Sequence, residues 1–263
     1  VHGIARDLAA AGMGELKNIE IPKIKTNGTS PINILFEEKA DEKNYCPAFG
    51  SRYIKNVKNC ESPQWLKDKL NSIGLKPISA LVDITNYILF DFNRPLHVYD
   101  ADKVSGNIII RSAKKDEKFL GLDDKEYTLD RGMCVIADEK KPLGLGGILG
   151  GSSSACDMAS TNVLLESALF IPSNIANTGR KLFIDSDARY RFERGVDPNS
   201  LNVGIDRAAS LIQEICGGEI SETQICGTVI KSEQDISFDL VKNTNRLGVE
   251  IDQSEIELSL INI

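Results

Sequence analysis

The stretch Asn162-Val163-Leu164-Leu165-Glu166-Ser167-Ala168-Leu169-Phe170 places one carboxylate inside a mainly apolar run. The short apolar segment Val163–Leu165 predicts a strand. Alternation along that strand puts Glu166 on the same face as Leu164, which favours burial. A buried carboxylate needs a dedicated hydrogen-bond donor. A solvated position on an edge strand is the alternative, and the sequence leaves both open.

Strands and helices are predicted on both sides of this stretch, but they do not alternate strictly. The predicted strands cover a short piece within 15–33, and 52–57, 108–110, 125–129, 133–137, 163–165 and 223–230. The predicted helices cover 2–11, 62–74, 78–90, 172–182 and 198–215. We therefore expect an α+β fold, with mixed or antiparallel sheets and helices packed around them, rather than a doubly wound sheet.

Capping residues and apolar spacing predict the ends of two of these helices and, for one of them, the buried face. Ser62-Pro63 is a helix-opening pair, and Gly74 is a stop signal. The spacing between them predicts one apolar face made of Trp65, Leu66, Leu70 and Ile73. For the helix over 198–215, we expect Asp197 as the N-cap.

Composition is that of an ordinary soluble globular protein. The chain has 263 residues, of which 41% are apolar and 26% charged, and no stretch approaches 18 consecutive apolar residues. Nothing at the N-terminus has the order of a secretory signal, so a cytoplasmic location without membrane contact is expected. The formal net charge is −7, so any RNA contact must come from a local basic patch.

Cysteine and histidine usage argues against a metal site. None of the six cysteines forms a C-x-x-C pair, so a zinc site is poorly supported and reduced thiols are expected. Only two histidines, His2 and His97, are present, which makes a two-histidine metal site improbable. For His97 alone, a core or turn histidine bonded to backbone is the alternative to a functional role.

The ends of the chain indicate a piece of a longer protein. The sequence enters a helix pattern directly after Val1, and it ends inside an apolar-periodic stretch that follows the expected N-cap Ser254. Residues 235–263 read as a strand, a turn and a helix that begin a new unit.

A glycine-rich run covers residues 144–151. It lacks the Gly-Lys-Ser/Thr ending of a phosphate loop and the spacing of a dinucleotide-binding loop. A tight backbone crossing that excludes side chains is the preferred interpretation. A backbone that approaches so closely can also line a ligand pocket.

Basic residues concentrate between Arg180 and Arg194, together with Asp185, Asp187 and Glu193. A solvated, ion-paired surface is the usual explanation for such a segment. A patch that contacts an RNA backbone is the alternative.

Five motifs in series resemble the beta subunit of bacterial phenylalanine–tRNA synthetase. Each is weak alone, but the series is specific, and it covers roughly residues 45–230. The motifs are Asp83-Ile84-Thr85-Asn86-Tyr87, Arg94-Pro95-Leu96-His97-Val98-Tyr99-Asp100, Gly146-Gly147-Ile148-Leu149-Gly150-Gly151, Leu165-Glu166-Ser167-Ala168 and Arg191-Phe192-Glu193-Arg194-Gly195-Val196-Asp197-Pro198.

The resemblance implies three regions. Residues 1–40 would hold the end of a preceding domain and a connection, since Gly3-Ile4-Ala5-Arg6-Asp7-Leu8 is similar to that domain's end. Residues 45–230 would form the tRNA-editing module. Residues 235–263 would begin a truncated domain with a DNA-binding-like fold.

The resemblance also implies an activity, the hydrolysis of tyrosine mischarged on tRNA-Phe. A synthetic pocket for phenylalanine cannot strongly reject a ligand that adds only a hydroxyl. An editing pocket that hydrogen-bonds the phenol can, because phenylalanine leaves its buried polar group unpaired at a cost of about 1–3 kcal/mol. In the family, a glutamate supplies that acceptor, and here it corresponds to Glu166.

Further site residues follow from the resemblance. His97 and Ser186 complete the implied catalytic set, in which they orient a water or the ester while the vicinal ribose hydroxyl helps to activate the water. No Ser-His-Asp or metal arrangement indicates a covalent or metal route. The implied substrate-binding residues are Asp187, Ala188, Gly147, Gly150 and Gly151, and the candidate RNA contacts are Arg180, Lys181 and Arg189.

The implied partners are tRNA-Phe and the alpha subunit of an alpha/beta hetero-oligomer. ATP and magnesium would serve the full enzyme in charging tRNA-Phe, and no cofactor or metal is expected in this chain. Two alternatives to editing remain. One is a non-catalytic module that docks tRNA or the partner subunit, and the other is a stand-alone enzyme that acts without tRNA, which the family-like flanks disfavour.

Overall fold

The computed structural model describes residues 1–17, 23–37, 45–229 and 237–261. These residues fall into two units, and we treat each by itself. Residues 23–37 and 45–229 belong to the larger unit, and residues 1–17 and 237–261 belong to the smaller one.

The described residues form eight α-helices. In chain order they are α1 (His2–Ala10), α2 (Gln64–Ser72), α3 (Ala80–Phe92), α4 (Pro172–Leu182), α5 (Asp187–Phe192), α6 (Ser200–Cys216), α7 (Leu240–Leu247) and α8 (Gln253–Ile261).

The described residues also form twelve strands. They are β1 (Ile34–Phe36), β2 (Ala48–Lys55), β3 (His97–Asp100), β4 (Ile108–Ser112), β5 (Glu117–Leu120), β6 (Glu126–Leu129), β7 (Cys134–Ala137), β8 (Pro142–Leu145), β9 (Leu149–Gly150), β10 (Val163–Leu169), β11 (Glu219–Ile220) and β12 (Gln224–Gly227).

The sheet that carries β10 has the order β11-β2-β10-β3, and every pairing in it is antiparallel. The short strand β12 also pairs with β2, beyond β11 along the same edge. Strand β10 is therefore an inner strand that pairs with β2 on one side and β3 on the other. All seven of its residues are buried, because both faces of this sheet are covered.

One face of this sheet packs against helices. Ile54, Val98, Val163 and Leu165 point to that side and join the buried residues of α2, α3 and α6 in one core. The burial of this large apolar surface is the main force that holds the three helices to the sheet.

The opposite face packs against a second sheet of order β1-β4-β7-β8-β9, which is antiparallel except for the parallel β1–β4 pair. Phe49, Tyr99 and Leu164 from the first sheet share this core with residues of the second, such as Ile110 and Val135. A separate hairpin joins β5 and β6. The mixed α+β class expected from the sequence is confirmed.

Several helix predictions need correction at their ends and faces. The predicted 172–182 helix coincides with α4, whereas α3 and α6 each begin two residues later than expected. The N-cap of α6 is Asn199, not Asp197. In α2, only Leu66 and Leu70 are buried, while Trp65 and Ile73 are exposed because they lie at the margin of the buried stripe.

The strand predictions found the centres of several strands but missed others. β2 begins four residues before the predicted 52–57 strand, and β10 extends four residues past 165. β3, β5 and β8 were not predicted, because their apolar runs are short and interrupted by charged residues, proline or glycine. Within 15–33, the described residues contribute an isolated bridge at Thr26 instead of a strand.

In the smaller unit, the described part of 235–263 forms two helices, α7 and α8, instead of a strand followed by a helix. The predicted strand falls partly on residues 235–236, which lie outside the described residues, and 237–239 are not in a strand. Ser254 is inside α8, and the residue that accepts its backbone N–H is Asp252.

Candidate functional site

A pocket with a cavity volume of about 70 Å³ opens between the two sheets. Side chains from β3, β7, β10 and α5 line it together with the glycine-rich run. The lining residues are Pro95, Leu96, His97, Tyr99, Ile136, Gly144, Leu145, Gly146, Gly147, Ile148, Leu149, Gly150, Glu166, Ala188 and Phe192.

Strand pairing brings the two principal sequence-predicted residues together. In the β3–β10 ladder, His97 lies directly opposite Glu166. Paired residues of an antiparallel ladder project to the same face, so both side chains enter the pocket from one sheet. Ser51 of β2 is the next partner of Glu166, and its hydroxyl is buried without a hydrogen-bond partner among the described residues.

Arg94 fixes the segment that leads into β3. Its guanidinium is fully buried and donates to the carbonyls of Ala168 and Asp197 and to the hydroxyl of Ser200. These bonds tie the start of β3 to the end of β10 and to the loop before α6. Burial lowers the pKa of Arg94 to about 10, so the group remains charged at neutral pH.

Glu166 is buried, as the alternation along the strand favoured, and its dedicated donor is Tyr99. The Tyr99 hydroxyl donates a hydrogen bond to Oε2 of Glu166. Among the described residues, no other group donates to the carboxylate, so Oε1 is left for a ligand or water. Burial raises the pKa of Glu166 to about 7, and the Tyr99 hydrogen bond opposes that rise.

His97 is held as a neutral imidazole. Burial lowers its pKa to about 4. The ring stands edge-on to Tyr99, with centroids 4.4 Å apart, and its buried Nε2 has no hydrogen-bond partner among the described residues. A buried, unpaired ring nitrogen in a pocket wall is a site for a water molecule or a polar ligand atom.

The glycine-rich run is a tight backbone crossing, as preferred from the sequence, and part of it lines the pocket. A Cβ atom at Gly150 would stand 2.4 Å from Cε1 of His97, and one at Gly147 would stand 2.8 Å from the Phe170 ring. Gly147 also has a φ of 69°. Side chains are therefore excluded, and the bare backbone of Gly144, Gly146, Gly147 and Gly150 forms a pocket wall. Gly151 is buried against the Leu143 carbonyl and is not part of the lining.

Helix α5 supplies a third side of the pocket. Ala188 and Phe192 line it, whereas Asp187 forms an i,i+4 ion pair with Arg191 outside it. Ser186 caps this helix by accepting the Arg189 N–H, and it donates to the Ile148 carbonyl at 2.6 Å. Its hydroxyl thus fastens α5 to the glycine-rich wall and has no free proton for a ligand.

The basic segment divides into paired and unpaired side chains. Lys181 pairs with Asp130, Arg189 and Arg194 with Glu193, and Arg191 with Asp187, as expected for an ion-paired surface. Arg189 also packs on Gly179 and donates to the Ile184 carbonyl, which gives it a structural role. Arg180 is exposed and has no ion-pair partner among the described residues.

The thiols near the pocket are unreactive. All six cysteines are free, as expected. Burial and the charge of Glu166 raise the pKa of Cys134 to about 12. Burial, with smaller contributions from Cys134 and Glu166, also raises the pKa of Cys46 well above its usual value. Because the thiolate is the nucleophile, neither sulfur suits covalent catalysis at neutral pH.

Among the residues that the structure describes, no helix combines the length and the apolar character that a membrane crossing requires. Within the same residues, His, Cys, Asp and Glu side chains do not gather in threes. What the pocket does offer is a buried acceptor, a neutral imidazole and a backbone wall.

The family of the chain follows from comparison with known proteins. The family model that describes the B3/4 domain matches residues 45–217 of the sequence, and this range includes every pocket residue. The chain belongs to the B3/4 domain family.

Curated relatives of this B3/4 chain share a name. Beta subunits of phenylalanine–tRNA ligase from Mesorhizobium japonicum and Paramagnetospirillum magneticum are 48% and 50% identical over 255 and 264 residues, or 97% and 99% of this chain. The same alignments cover 31% and 33% of the relatives, so the chain spans about a third of their length.

One solved structure supports the fold of this B3/4 chain. It is an N-terminal fragment of the phenylalanyl-tRNA synthetase beta subunit from Pyrococcus horikoshii, with a TM-score of 0.52 and 15% identity. The match covers 99% of this chain and 71% of that fragment. At this identity, the likeness concerns the fold alone.

Sequence reasoning missed several contributors to the B3/4 pocket. The most important is Tyr99, which lies two residues after His97 and therefore on the same face of β3. That spacing was a usable signal for its position, although not for its bond to Glu166. Ile136 and Phe192 were also missed, and for Ile136 the sequence contains no signal beyond its place in a strand.

Proposed function

We propose that this chain carries the editing site of a phenylalanine–tRNA ligase and hydrolyses tyrosyl-tRNA-Phe. The observation that carries the proposal is the Glu166 carboxylate, which is buried in a pocket and held by Tyr99 through one oxygen only. The other oxygen is an acceptor without a donor, which is what a phenol hydroxyl requires. The names of the curated relatives support the part of this proposal that concerns a phenylalanine–tRNA ligase.

Selection between tyrosine and phenylalanine follows from this unpaired acceptor. A tyrosyl hydroxyl replaces the water that Glu166 loses when the pocket fills. A phenylalanyl ring also displaces the water but has no hydroxyl to donate a hydrogen bond to Glu166. The unpaired carboxylate oxygen then costs about 1–3 kcal/mol, or roughly 5- to 150-fold in affinity. The neighbouring wall of bare backbone lets a flat ring approach closely.

Hydrolysis in this pocket is a single displacement by water. The oxygen of the water adds to the ester carbonyl carbon, the bond to the ribose oxygen breaks, and that oxygen takes up a proton. Neutral His97, whose Nε2 is unpaired, accepts a hydrogen bond from the water and orients it. With a pKa of about 4 it is a weak base, so the vicinal ribose hydroxyl assists in moving the proton.

Ser186 and Asp187 act on this site from outside it. Ser186 holds α5 against the Ile148 carbonyl, which keeps Ala188 at the pocket wall. We propose that Ser186 positions the wall, and that Asp187 supports α5 through Arg191.

The larger setting follows the curated relatives. We propose that the whole protein charges tRNA-Phe together with an alpha subunit in the cytoplasm, and that ATP and magnesium serve a synthetic site outside this chain. The chain has no Gly-Lys-Ser/Thr phosphate loop. A role limited to docking tRNA or the partner subunit is the competing function.

Deacylation of tyrosyl-tRNA-Phe by this chain tests the proposal, with phenylalanyl-tRNA-Phe as the control substrate. The wild type should release tyrosine selectively, and Glu166→Ala should lose that selectivity. Glu126→Ala is the matched control, because Glu126 is an exposed strand glutamate paired with Lys118. It should behave as the wild type.

If the isolated chain is inactive, the same substrates are tested on the full two-subunit enzyme with and without Glu166→Ala. Unchanged tyrosyl-tRNA-Phe hydrolysis in that variant, or none in the wild type, would reject the editing role. The docking function would then remain.

A further inference from the structure

We infer that the α4–α5 segment, with Phe183 at its centre, is a stacking platform for the single-stranded 3′ end of an RNA whose terminal ester enters the pocket. The inference rests on the proposed function, because it concerns the strand that delivers that ester. It adds a binding surface to the residues already assigned.

Phe183 occupies a position that disfavours phenylalanine in two ways. Its side chain is 94% exposed, so it contributes no free energy of folding through burial of apolar surface. Its φ is 55°, in the left-handed region that disfavours bulky residues. Folding stability therefore does not explain a phenylalanine here.

The local fold explains the backbone conformation but not the side chain. Phe183 ends α4 with its N–H bonded to the Arg180 carbonyl, and the Ile184 N–H bonds to the Gly179 carbonyl. This pair of bonds is a Schellman motif, in which glycine or asparagine is the usual left-handed residue. An aromatic ring at this position is consistent with a contact to another molecule.

Cationic groups accompany the ring. Arg180 lies three residues before Phe183 and has no ion-pair partner among the described residues. Just after α5, the guanidinium of Arg194, which is ion-paired with Glu193, stacks 3.7 Å from the centroid of the exposed Tyr190 ring. Residues 180–194 hold five basic and three acidic side chains, so this segment is positive in a chain of net charge −7.

An exposed aromatic ring near an unpaired arginine, as at Phe183 and Arg180, is a combination that single-stranded RNA binds. Each base can stack on a ring or a guanidinium plane, and the phosphates pair with the cations. Phe183 precedes the pocket residue Ala188 by five residues, so their Cα atoms are at most about 18 Å apart. A few nucleotides cover that distance, which suits an RNA whose last residue enters the pocket.

The variant Phe183→Asn should weaken RNA binding without lowering the stability of the fold. Asparagine is favoured in the left-handed conformation, so the midpoint of unfolding should stay or rise. Binding of a fluorescein-labelled six-nucleotide RNA ending in adenosine, followed by anisotropy at about 50 mM salt, should weaken about tenfold. Phe183→Trp keeps the stacking surface and should bind at least as tightly as the wild type.

Ile78→Asn is the matched control, since Ile78 is an exposed apolar residue in the loop before α3. It should not alter RNA binding. A wild type that does not bind the oligonucleotide, or a Phe183→Asn variant that binds it like the wild type, overturns the platform. In that case the ring contacts another protein segment or nothing.

The anisotropy readout does not depend on hydrolysis, so the two proposals can fail separately. A second measurement compares hydrolysis of tyrosyl-tRNA-Phe with that of 3′-O-tyrosyl-adenosine. Phe183→Asn should lower kcat/KM for the tRNA ester and leave kcat/KM for the minimal ester unchanged. The single nucleoside of the minimal ester enters the pocket, so it has no preceding bases to stack on the platform. Equal losses on both esters would reject the platform while leaving the editing site in place.

Discussion

The Tyr99 hydroxyl donates a hydrogen bond to one carboxylate oxygen of Glu166, which lies on the neighbouring strand, and both residues line the same pocket. The pair orients the carboxylate and leaves its second oxygen for a ligand. Because the hydrogen bond lowers the pKa of Glu166 against the effect of burial, Tyr99 also helps to keep the acceptor ionised.

Tyr99→Phe should therefore move the pH dependence of tyrosyl ester hydrolysis. Without the hydroxyl, the pKa of Glu166 rises above about 7, and the rate that depends on ionised Glu166 reaches its plateau at higher pH. A pH–rate profile of kcat/KM measures the displacement. Cys46 and Cys134, the thiols that interact with Glu166, stay protonated across that range.

Tyr127→Phe is the control for that experiment, because the Tyr127 hydroxyl donates to the carboxylate of Asp123 outside the pocket. It removes the same atom and should leave the profile unchanged. An unaltered profile in Tyr99→Phe would show that the Tyr99 hydroxyl does not tune the carboxylate.

Glu166→Gln should stabilise the protein increasingly as the pH rises. The pKa of Glu166 is about 7 in the fold against an ordinary 4.5. Between these values the native state holds a proton that the unfolded state has lost, so wild-type stability falls as the pH rises through this window. The full penalty, present above pH 7, is roughly 3 kcal/mol or less.

Glutamine keeps an oxygen that accepts from Tyr99 and carries no charge. Urea unfolding at pH 5 and pH 8 should give a larger gain for Glu166→Gln at pH 8. Equal differences at the two values would contradict the raised pKa.

Gly150→Ala should impair hydrolysis by moving His97. The new methyl group would stand 2.4 Å from Cε1 of the imidazole, so the ring must shift. A displacement of about 1 Å in such a site costs up to roughly 100-fold in rate. The measurement is kcat/KM for tyrosyl-tRNA-Phe.

Gly144→Ala is its control in the same wall. Its Cβ meets nothing nearer than the Tyr99 hydroxyl at 3.6 Å, an ordinary contact. This variant should retain most of the activity. If Gly150→Ala and Gly144→Ala lower kcat/KM to the same extent, the displacement of His97 is not the cause of the loss.

Ser186→Ala should destabilise the protein by about 1–2 kcal/mol, because it removes the α5 cap and the bond to the Ile148 carbonyl. Ser186→Thr preserves the hydroxyl and should restore most of the loss. Urea unfolding of the three proteins measures both changes. A fully stable Ser186→Ala variant with low activity would instead favour a direct role in hydrolysis.

The residues that sequence predicts best are those whose position depends on local pattern. Helix α4 was predicted to the residue, because Pro172 opens it and the apolar spacing persists to Leu182. Alternation with Leu164 favoured the burial of Glu166, although it left an exposed position on an edge strand open. The Tyr99–Glu166 bond could not be predicted, because it depends on the register of two strands far apart in the chain.

Two other features could not be predicted from the sequence, for related reasons. The resemblance implies a pocket role for Ser186, whereas its hydrogen bond to the Ile148 carbonyl joins residues 38 positions apart and could not be predicted. Phe183 gives no sign in the sequence that its ring is exposed, since an apolar residue at the end of an apolar pattern indicates burial.

The glycine wall limits how the pocket can be redesigned. At Gly147 and Gly150 an added side chain collides with Phe170 or His97, so these positions offer no route to a new shape. Ala188 differs, because it presents a small side chain to the pocket from a helix. Larger or polar residues at Ala188 are thus the natural starting point for directing the site toward other aminoacyl esters.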